Sequence, residues 1–328
     1  MKQYDVYGIG NALVDMDYEV SAQDLIDMNI EKGVMTLVEE DHQMRVMAHL
    51  GSHPCKKSAG GSAANSVIAV SQFGGKGFYS CKVADDELGN FYLQDLQANG
   101  VDTNVHAVRE AGHTGRCLVM VTPDADRTMA THLGITGGLS QVELVEDKLR
   151  SADYAYIEGY LVTSDSARSA AIHARQIAEQ AGVKTSLSLS DPNMVKFFKD
   201  GLESMIGSSV DLLFANESEA MGMAGSDNLE DAITYLKTRS RQFAVTLGPK
   251  GALVWDGAKL IEIEPTPVKA VDTVGAGDMF AGAFLYGLTQ GWDHARAGRL
   301  ASKASAHLVT AYGPRISAAQ AKGLLEGI

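Results

Sequence analysis

Residues 272–280 read Asp-Thr-Val-Gly-Ala-Gly-Asp-Met-Phe and combine an anion cradle with a base. Gly275 and Gly277 allow a backbone path that other residues resist. An apolar run with helical spacing follows, so the N–H groups of 275–278 would open a helix and point toward an anion. Asp278 falls in that first turn. A carboxylate is a poor phosphate ligand, but here it is well placed to take a proton from a hydroxyl attacking phosphorus. The same residues also read as an aspartate cap on a glycine-rich turn.

Gly60-Gly61-Ser62-Ala63-Ala64-Asn65 is a second glycine-led helix entry. Its small residues let a ligand near the backbone, and Asn65 offers a donor and an acceptor to a pair of hydroxyls. A tight packing turn is the plainer reading. Asn11, Asp15 and Asp17 follow the first expected strand. Residues 15 and 17 share a face if the strand continues, as binders of vicinal hydroxyls or as a solvated edge. Asn216 and Glu219 offer oxygens to a hard cation that keeps its waters, and they also match a capping box; both readings can hold together. Thr246, Gly248 and Gly251 lie in a turn after a strand, where nucleotide phosphates bind in α/β sheets. Arg116 and Arg127 lie in an irregular insert, from which each could approach a substrate or phosphate.

Several look-alikes fail. Gly51 to Ser58 imitates a P-loop, but Lys56 occupies the place of the glycine before the motif lysine. Gly8-Ile9-Gly10 begins like a dinucleotide fingerprint, but Leu13 replaces the third glycine. His49, His53 and Cys55 lack a convincing fourth ligand for zinc. The 328 residues carry 28 Lys+Arg against 41 Asp+Glu, a formal charge of −13, which argues against nucleic acid as a partner. Three scattered Cys give no disulfide framework. The start of the chain is charged, and no run approaches the ~18 apolar residues of a membrane span. A soluble cytoplasmic chain is the expectation.

The elements that must position these groups alternate. Strands are expected at 4–9, 78–83, 154–158, 185–190, 210–215 and 243–247. Helices are expected at 66–73, 86–98, 141–150, 164–180, 195–206 and 228–240. A hairpin turns at Asp256-Gly257, and 277–327 is mainly helical. This pattern predicts an open, mostly parallel sheet with helices on both faces. Strands at 13–20 and 33–38, a helix at 42–50 and β-prone segments at Val105–Val108, Arg116–Val121 and Thr128–Leu133 do not fit the alternation. The expectation is a large α/β domain (1–11, 51–102 and 136–328) with a discontinuous β-rich lid (12–50 and 103–135).

On Gly60-Gly61 with Asn65, Asn216-Glu217-Ser218-Glu219 and the 272–278 segment, the chain resembles the PfkB carbohydrate kinase (ribokinase-like) family through nearly its whole length. Residues 10–15, Gly-Asn-Ala-Leu-Val-Asp, are most similar to the adenosine-kinase branch, with Ala12 in place of its proline. The resemblance implies a three-layer α/β/α sandwich with a β-rich lid, and transfer of the γ-phosphoryl group of ATP to a primary alcohol. It implies Asp278 as base and the N–H groups of Gly275, Ala276 and Gly277 as the anion hole. Asn216 and Glu219 would organise Mg²⁺ through water. Asn11, Asp15, Asp17, Gly60, Gly61 and Asn65 would meet the substrate. Thr246, Gly248, Gly251 and Thr273 would meet ATP. Carbonyls near Asp272 and the loop 311–317 would hold a monovalent cation such as K⁺. Arg116 is bulky where many relatives are small, which implies that it meets the substrate near the base or sugar. Adenosine is the favoured acceptor, with fructose, ribose or another sugar as alternatives. A regulator that binds without catalysis is the reading from a different class. A monomer and a lid-mediated homodimer both fit.

Overall fold

The computed structural model describes residues 2–33, 35–51, 53–105, 109–123 and 127–328, Arg127 through its backbone alone. The β-prone stretch Val105–Val108 therefore lies outside the described residues except for Val105, which sits in a turn. In chain order the strands are β1 (Tyr4–Ile9), β2 (Leu13–Glu19), β3 (Met35–Leu37), β4 (Cys55–Gly60), β5 (Gly77–Ser80), β6 (Asp102–Thr103) and β7 (Gly115–Val121). Then come β8 (Arg127–His132), β9 (Ala152–Glu158), β10 (Lys184–Ser188), β11 (Val210–Asn216), β12 (Ser240–Thr246), β13 (Ala252–Trp255) and β14 (Leu260–Ile263).

One sheet runs β14-β13-β12-β11-β10-β9-β1-β5-β6, and a smaller one runs β3-β8-β7-β2-β4. From β12 to β6 every pairing is parallel; β13 pairs antiparallel with both β12 and β14. Parallel strands covered on both faces read as continuous apolar runs. Accordingly, Val6, Tyr154, Leu212 and Ala244 feed one core, and Tyr7, Ala155, Leu213 and Val245 feed the other. Helices Ser62–Gln72, Ala276–Thr289 and His294–Leu308 cover the first face. Helices Asp165–Ala181, Pro192–Ile206, Glu217–Ala224 and Leu229–Arg239 cover the second. These three layers match the expected sandwich. No described helix is long and apolar enough to cross a membrane.

The chain leaves β1 toward β5 on one side and returns to β9 on the other. Strand order therefore reverses at β1, and the carboxyl ends of β1 and β9 border the crevice where ligands settle in such sheets. The smaller sheet stands beside that crevice. Val14, Met16 and Tyr18 of β2 pack with Leu25, Val46 and Leu50 of helices Ala22–Asp27 and Glu40–Leu50. The alternate residues, Asp15 and Asp17, point the other way.

Two expectations need correction. Cys55–Gly60, expected within the larger domain, pairs with β2 in the smaller sheet from Leu13↔Gly60 to Tyr18↔Cys55. Its Cys-Lys-Lys-Ser run has no apolar alternation because it is an edge strand with exposed side chains. The expected helix 141–150 is a short 3₁₀ turn (Gln141–Glu143) and a separate helix (Glu146–Arg150). Ser140 and Glu143 close the first piece as a reciprocal cap, and Leu144 is extended.

Helices Ser62–Gln72 and Ala276–Thr289 approach unusually closely at Gly282. A Cβ there would meet the Ser66 carbonyl and lie 2.6 Å from Ala69 Cβ. Both obstacles belong to a buried helix, so neither can yield cheaply. Gly282→Val should lower the unfolding free energy by about 1–3 kcal/mol through overpacking. Denaturant unfolding tests this; an unchanged midpoint would show that the helix pair does not rest on that contact.

Candidate active site

The site forms where the carboxyl ends of the parallel strands face the smaller sheet. A cleft of about 420 Å³ is lined by Asn11 after β1, Asp15 on β2, Glu158 ending β9, Asn216 ending β11 and Thr246 ending β12. Gly61 and Asn65 enter from one helix, and Gly275, Ala276, Gly277 and Asp278 from another. A second cavity of about 540 Å³ holds Thr246, Gly248, Gly251, Thr273, Ala276 and Gly277, with apolar walls from Pro249, Pro265, Pro267 and Val309. The two cavities share Thr246, Thr273, Ala276, Gly277 and Phe280. They therefore meet at the expected anion hole.

Gly275 is the N-cap of its helix with φ 76°, a left-handed conformation that suits glycine. A Cβ there would also lie 2.6 Å from the Pro314 carbonyl. The first N–H groups of a helix have no intrahelical acceptor. The Ala276 N–H is nevertheless engaged, donating to the Thr273 carbonyl at 3.2 Å. Asp272 ties this turn to the late loop: its carboxylate accepts from Val274 N at 3.1 Å and Gly313 N at 2.9 Å.

Asp278 accepts from Ser62 Oγ at 2.6 Å and from Asn65 Nδ2 at 2.9 Å. Burial raises its pKa, and those two bonds and the nearby Arg315 charge oppose the rise. Arg315 donates from Nε to Asn65 Oδ1 at 2.7 Å and pairs with Asp95. Glu158 is buried and takes Asn11 N–H at 3.2 Å and Ala63 N–H at 2.8 Å. Burial pushes its carboxyl up to about 7; the backbone bonds pull it down, and the Asp278 charge adds to the rise. Asn216 and Glu219 form a reciprocal cap, with Asn216 N donating to Glu219 at 2.9 Å and Glu219 N to Asn216 Oδ1 at 2.8 Å. Burial likewise pushes Glu219 to about 7, despite the Asn216 bonds, and Asp191 adds to the rise.

The sequence-derived residues do not all converge. Asp15 lies opposite Cys117 in register and packs against Gly60, where a Cβ would fall 2.7 Å from Asp15 Cγ. Gly60 thus admits the Asp15 side chain, and its carbonyl accepts from Tyr92 Oη at 2.9 Å. Asp17, opposite Lys56, is not in the cleft wall. Arg116 is a correction: it sits opposite Val14, on the far face of the smaller sheet, while Cys117 faces the cleft. The Arg127 side chain lies outside the described residues. Gly248 and Gly251 line the second cavity only. Sequence reasoning missed Ser62, Glu158 and Arg315. Ser62 was legible as the first residue after the glycine pair; the other two carry no local signal.

Metal fit rests on donor chemistry. Among the described residues, no group of three or more His, Cys, Asp and Glu converges as a metal cluster. Asn216 and Glu219 offer oxygens that are already hydrogen-bonded, a set suited to a hydrated hard cation.

Glu158 makes a signed pH prediction. An unfolded glutamic acid ionises near 4.5, and this one near 7 in the fold, so the folded state holds the extra proton between those values. Its contribution therefore makes stability fall as pH rises from 4.5 to about 7. Glu158→Gln should flatten that fall in denaturant titrations stepped across the window. An identical slope in the variant would remove Glu158 from the account.

A model of the pfkB family carbohydrate kinases matches residues 34–321. A probable sugar kinase from Rhizobium etli is 33% identical, with a TM-score of 0.90 over 99% of this chain and 100% of that one. Adenosine kinase from Sinorhizobium meliloti is 32% identical, with a TM-score of 0.89 over 97% and 98% of the two chains. Probable fructokinase-4 of Arabidopsis thaliana is 29% identical over 70% of this chain and 72% of its own length. With the matched span covering most of the chain and the cleft built on the same fold, this chain belongs to the pfkB family of carbohydrate kinases, ATP-dependent phosphotransferases with a hydroxyl acceptor.

Proposed function

We propose that the acceptor is the 5′-hydroxyl of a nucleoside, adenosine first, and that Asp278 is the base. One observation carries the choice of acceptor. The 420 Å³ cleft has a polar floor of Asn11, Asp15 and Asn65, and an apolar wall of Leu13, Met35, Leu37, Met129 and Leu133. The floor suits a ribose diol through carboxylate and amide hydrogen bonds. The wall suits a flat heterocycle, which a free sugar does not carry. The adenosine kinase among the solved relatives supports the same reading.

In this reading the acceptor hydroxyl lies beside Asp278, and its oxygen attacks the γ-phosphorus of ATP. The O–P bond forms as the bond from phosphorus to the ADP oxygen breaks, and the hydroxyl proton passes to Asp278. The N–H groups of Gly277, which lines both cavities, and of Gly275, which lines the first, offset charge on the transferring group. Ala276 joins them only if its N–H leaves Thr273. The apolar walls of the second cavity fit the adenine of ATP, with Thr246, Thr273, Gly248 and Gly251 nearer the phosphates.

Asn216 and Glu219 would hold Mg²⁺ through water; when bound, that ion neutralises phosphate charge. The two loops joined by Asp272 would present carbonyls to a monovalent cation. A cytoplasmic setting, where ATP is abundant, accords with three free cysteines.

A free sugar is the second reading, favoured by the sugar kinase and fructokinase relatives. An ATP-consumption panel with Mg²⁺, with and without K⁺, decides between them. Adenosine should be turned over with a higher kcat/KM than ribose or fructose; fructose ahead of adenosine would replace the nucleoside reading. Asp278→Asn should reduce kcat by about 10²–10⁴-fold while ATP binding persists. Unchanged turnover would sink the base assignment. Asp15→Ala should mainly raise the acceptor KM, and an unaltered acceptor titration would count against that role.

A further inference from the structure

We propose that Arg315 is a positioning residue for Asp278, acting through Asn65: it sets which way the Asn65 amide faces and so holds the Asp278 carboxylate for proton transfer. This rests on Asp278 being the base.

An asparagine amide presents an acceptor on one side and donors on the other, and either side can face a given neighbour. A guanidinium only donates. Arg315 Nε meets Asn65 Oδ1 at 2.7 Å, which turns Asn65 Nδ2 toward Asp278 Oδ2 at 2.9 Å. A flipped amide would set donor against donor on one side and oxygen against carboxylate on the other. Both bonds would be lost together.

Arg315 is itself held. Its guanidinium pairs with Asp95 of helix Glu87–Ala98, and its side chain is only 13% exposed. The residues just before it are pinned as well: Gly313 N–H donates to Asp272, and Pro314 packs on Gly275. One loop therefore braces the anion-hole turn through Pro314 and the base through Arg315. The chain Asp95–Arg315–Asn65–Asp278 joins three helices and the late loop, none of them neighbours in sequence.

The groups facing Asp278 come from every element around it. Ser62 and Asn65 come from the adjacent helix, Tyr156 and Glu158 from β9, and Tyr160 from the turn after β9. Two tyrosines and a glutamic acid do not compensate a carboxylate's charge. The Arg315 cation does, and it lowers the Asp278 pKa. Arg315 thus supplies both orientation and charge, and substitutions can separate the two.

The experiment is a pH–rate series with ATP, Mg²⁺ and adenosine, or fructose if that is the substrate turned over. Arg315→Met should lower kcat about 10–100-fold, in line with the cost of misplacing a reacting group. It should move the acidic limb of kcat up by about 0.5–1 pH unit, since removing a nearby cation raises a carboxyl pKa. ATP KM should stay within about twofold. Arg315→Lys keeps the charge but not the fork, so it should leave the acidic limb near the parent's while kcat stays low. Asp95→Asn should shift kcat in the same direction by less, and it carries the test if Arg315→Met does not fold. A parent-like kcat and acidic limb in Arg315→Met would overturn the proposal. So would parent-like values in Asp95→Asn when Arg315→Met is unfolded. Asp278→Asn separates the two levels: an active variant defeats the base assignment, whereas an inactive one beside a parent-like Arg315→Met defeats only the role of Arg315.

Discussion

The site depends on two helices that meet near their amino ends with no side chain between them at Gly282. Gly282 removes the obstacle, and the backbones close until Ser66 and Ala69 touch it. At the amino ends, Ser62 and Asn65 of one helix then reach Asp278 of the other. A carboxylate buried alone would take up a proton, because desolvation penalises its charge. Here it lies beside the positive ends of two helix dipoles and accepts two side-chain bonds. Burial and compensation act on the same atoms, which keeps a recessed carboxylate within reach of ionisation.

Glu158 shares that helix end. It accepts the Ala63 N–H and, across the strand reversal, the Asn11 N–H. A Cβ on Gly10 would collide with it, so the glycine admits a carboxylate where a side chain could not stand. Two carboxyl groups beside one helix terminus repel each other, and the Asp278 charge raises Glu158 further. Environments that push paired acids apart assign them different roles. The Glu158 value of about 7 keeps much of it neutral near neutrality and relieves the repulsion on Asp278. A neutral Glu158 still accepts the backbone donors, so the turn holds while the charge is lost.

The repeating strand–helix pattern made the large sheet legible, because parallel strands buried on both faces leave continuous apolar runs such as Tyr4–Ile9. The glycine-led helix entries were legible for a local reason too: positive φ and close backbone approach both select glycine. Arg116 was misplaced because side-chain direction in a strand alternates, and only the register with β2 reveals that Cys117 holds the inward position. β4 was hidden by its lysines, since its pairing partner rather than its composition makes it a strand. Glu158 and Arg315 were invisible for the same kind of reason. Each acts on residues more than ninety positions away, through contacts that tertiary packing alone creates.

A chain of charge −13 that places Asp278, Glu158 and Glu219 around one cleft faces a problem with an anionic co-substrate. Adding lysines would ease binding, but mobile ammonium groups would also pair with Asp278 and lower its basicity. In the proposed reading phosphate meets backbone N–H groups, whose partial charge is fixed in direction and cannot swing toward Asp278. The strong nearby cation, Arg315, is tethered by Asp95 and aimed at the Asn65 oxygen rather than at the carboxylate. Its charge acts from behind the amide, so the Asp278 carboxylate is tuned without being capped. This arrangement demands that the late loop stay registered against the Gly275 turn. The Gly313 bond to Asp272 and the Pro314 contact with Gly275, at adjacent positions of the loop, provide that registration. Loss of the loop would therefore disturb the Gly275 turn and Asp278 together, although neither is built from its residues.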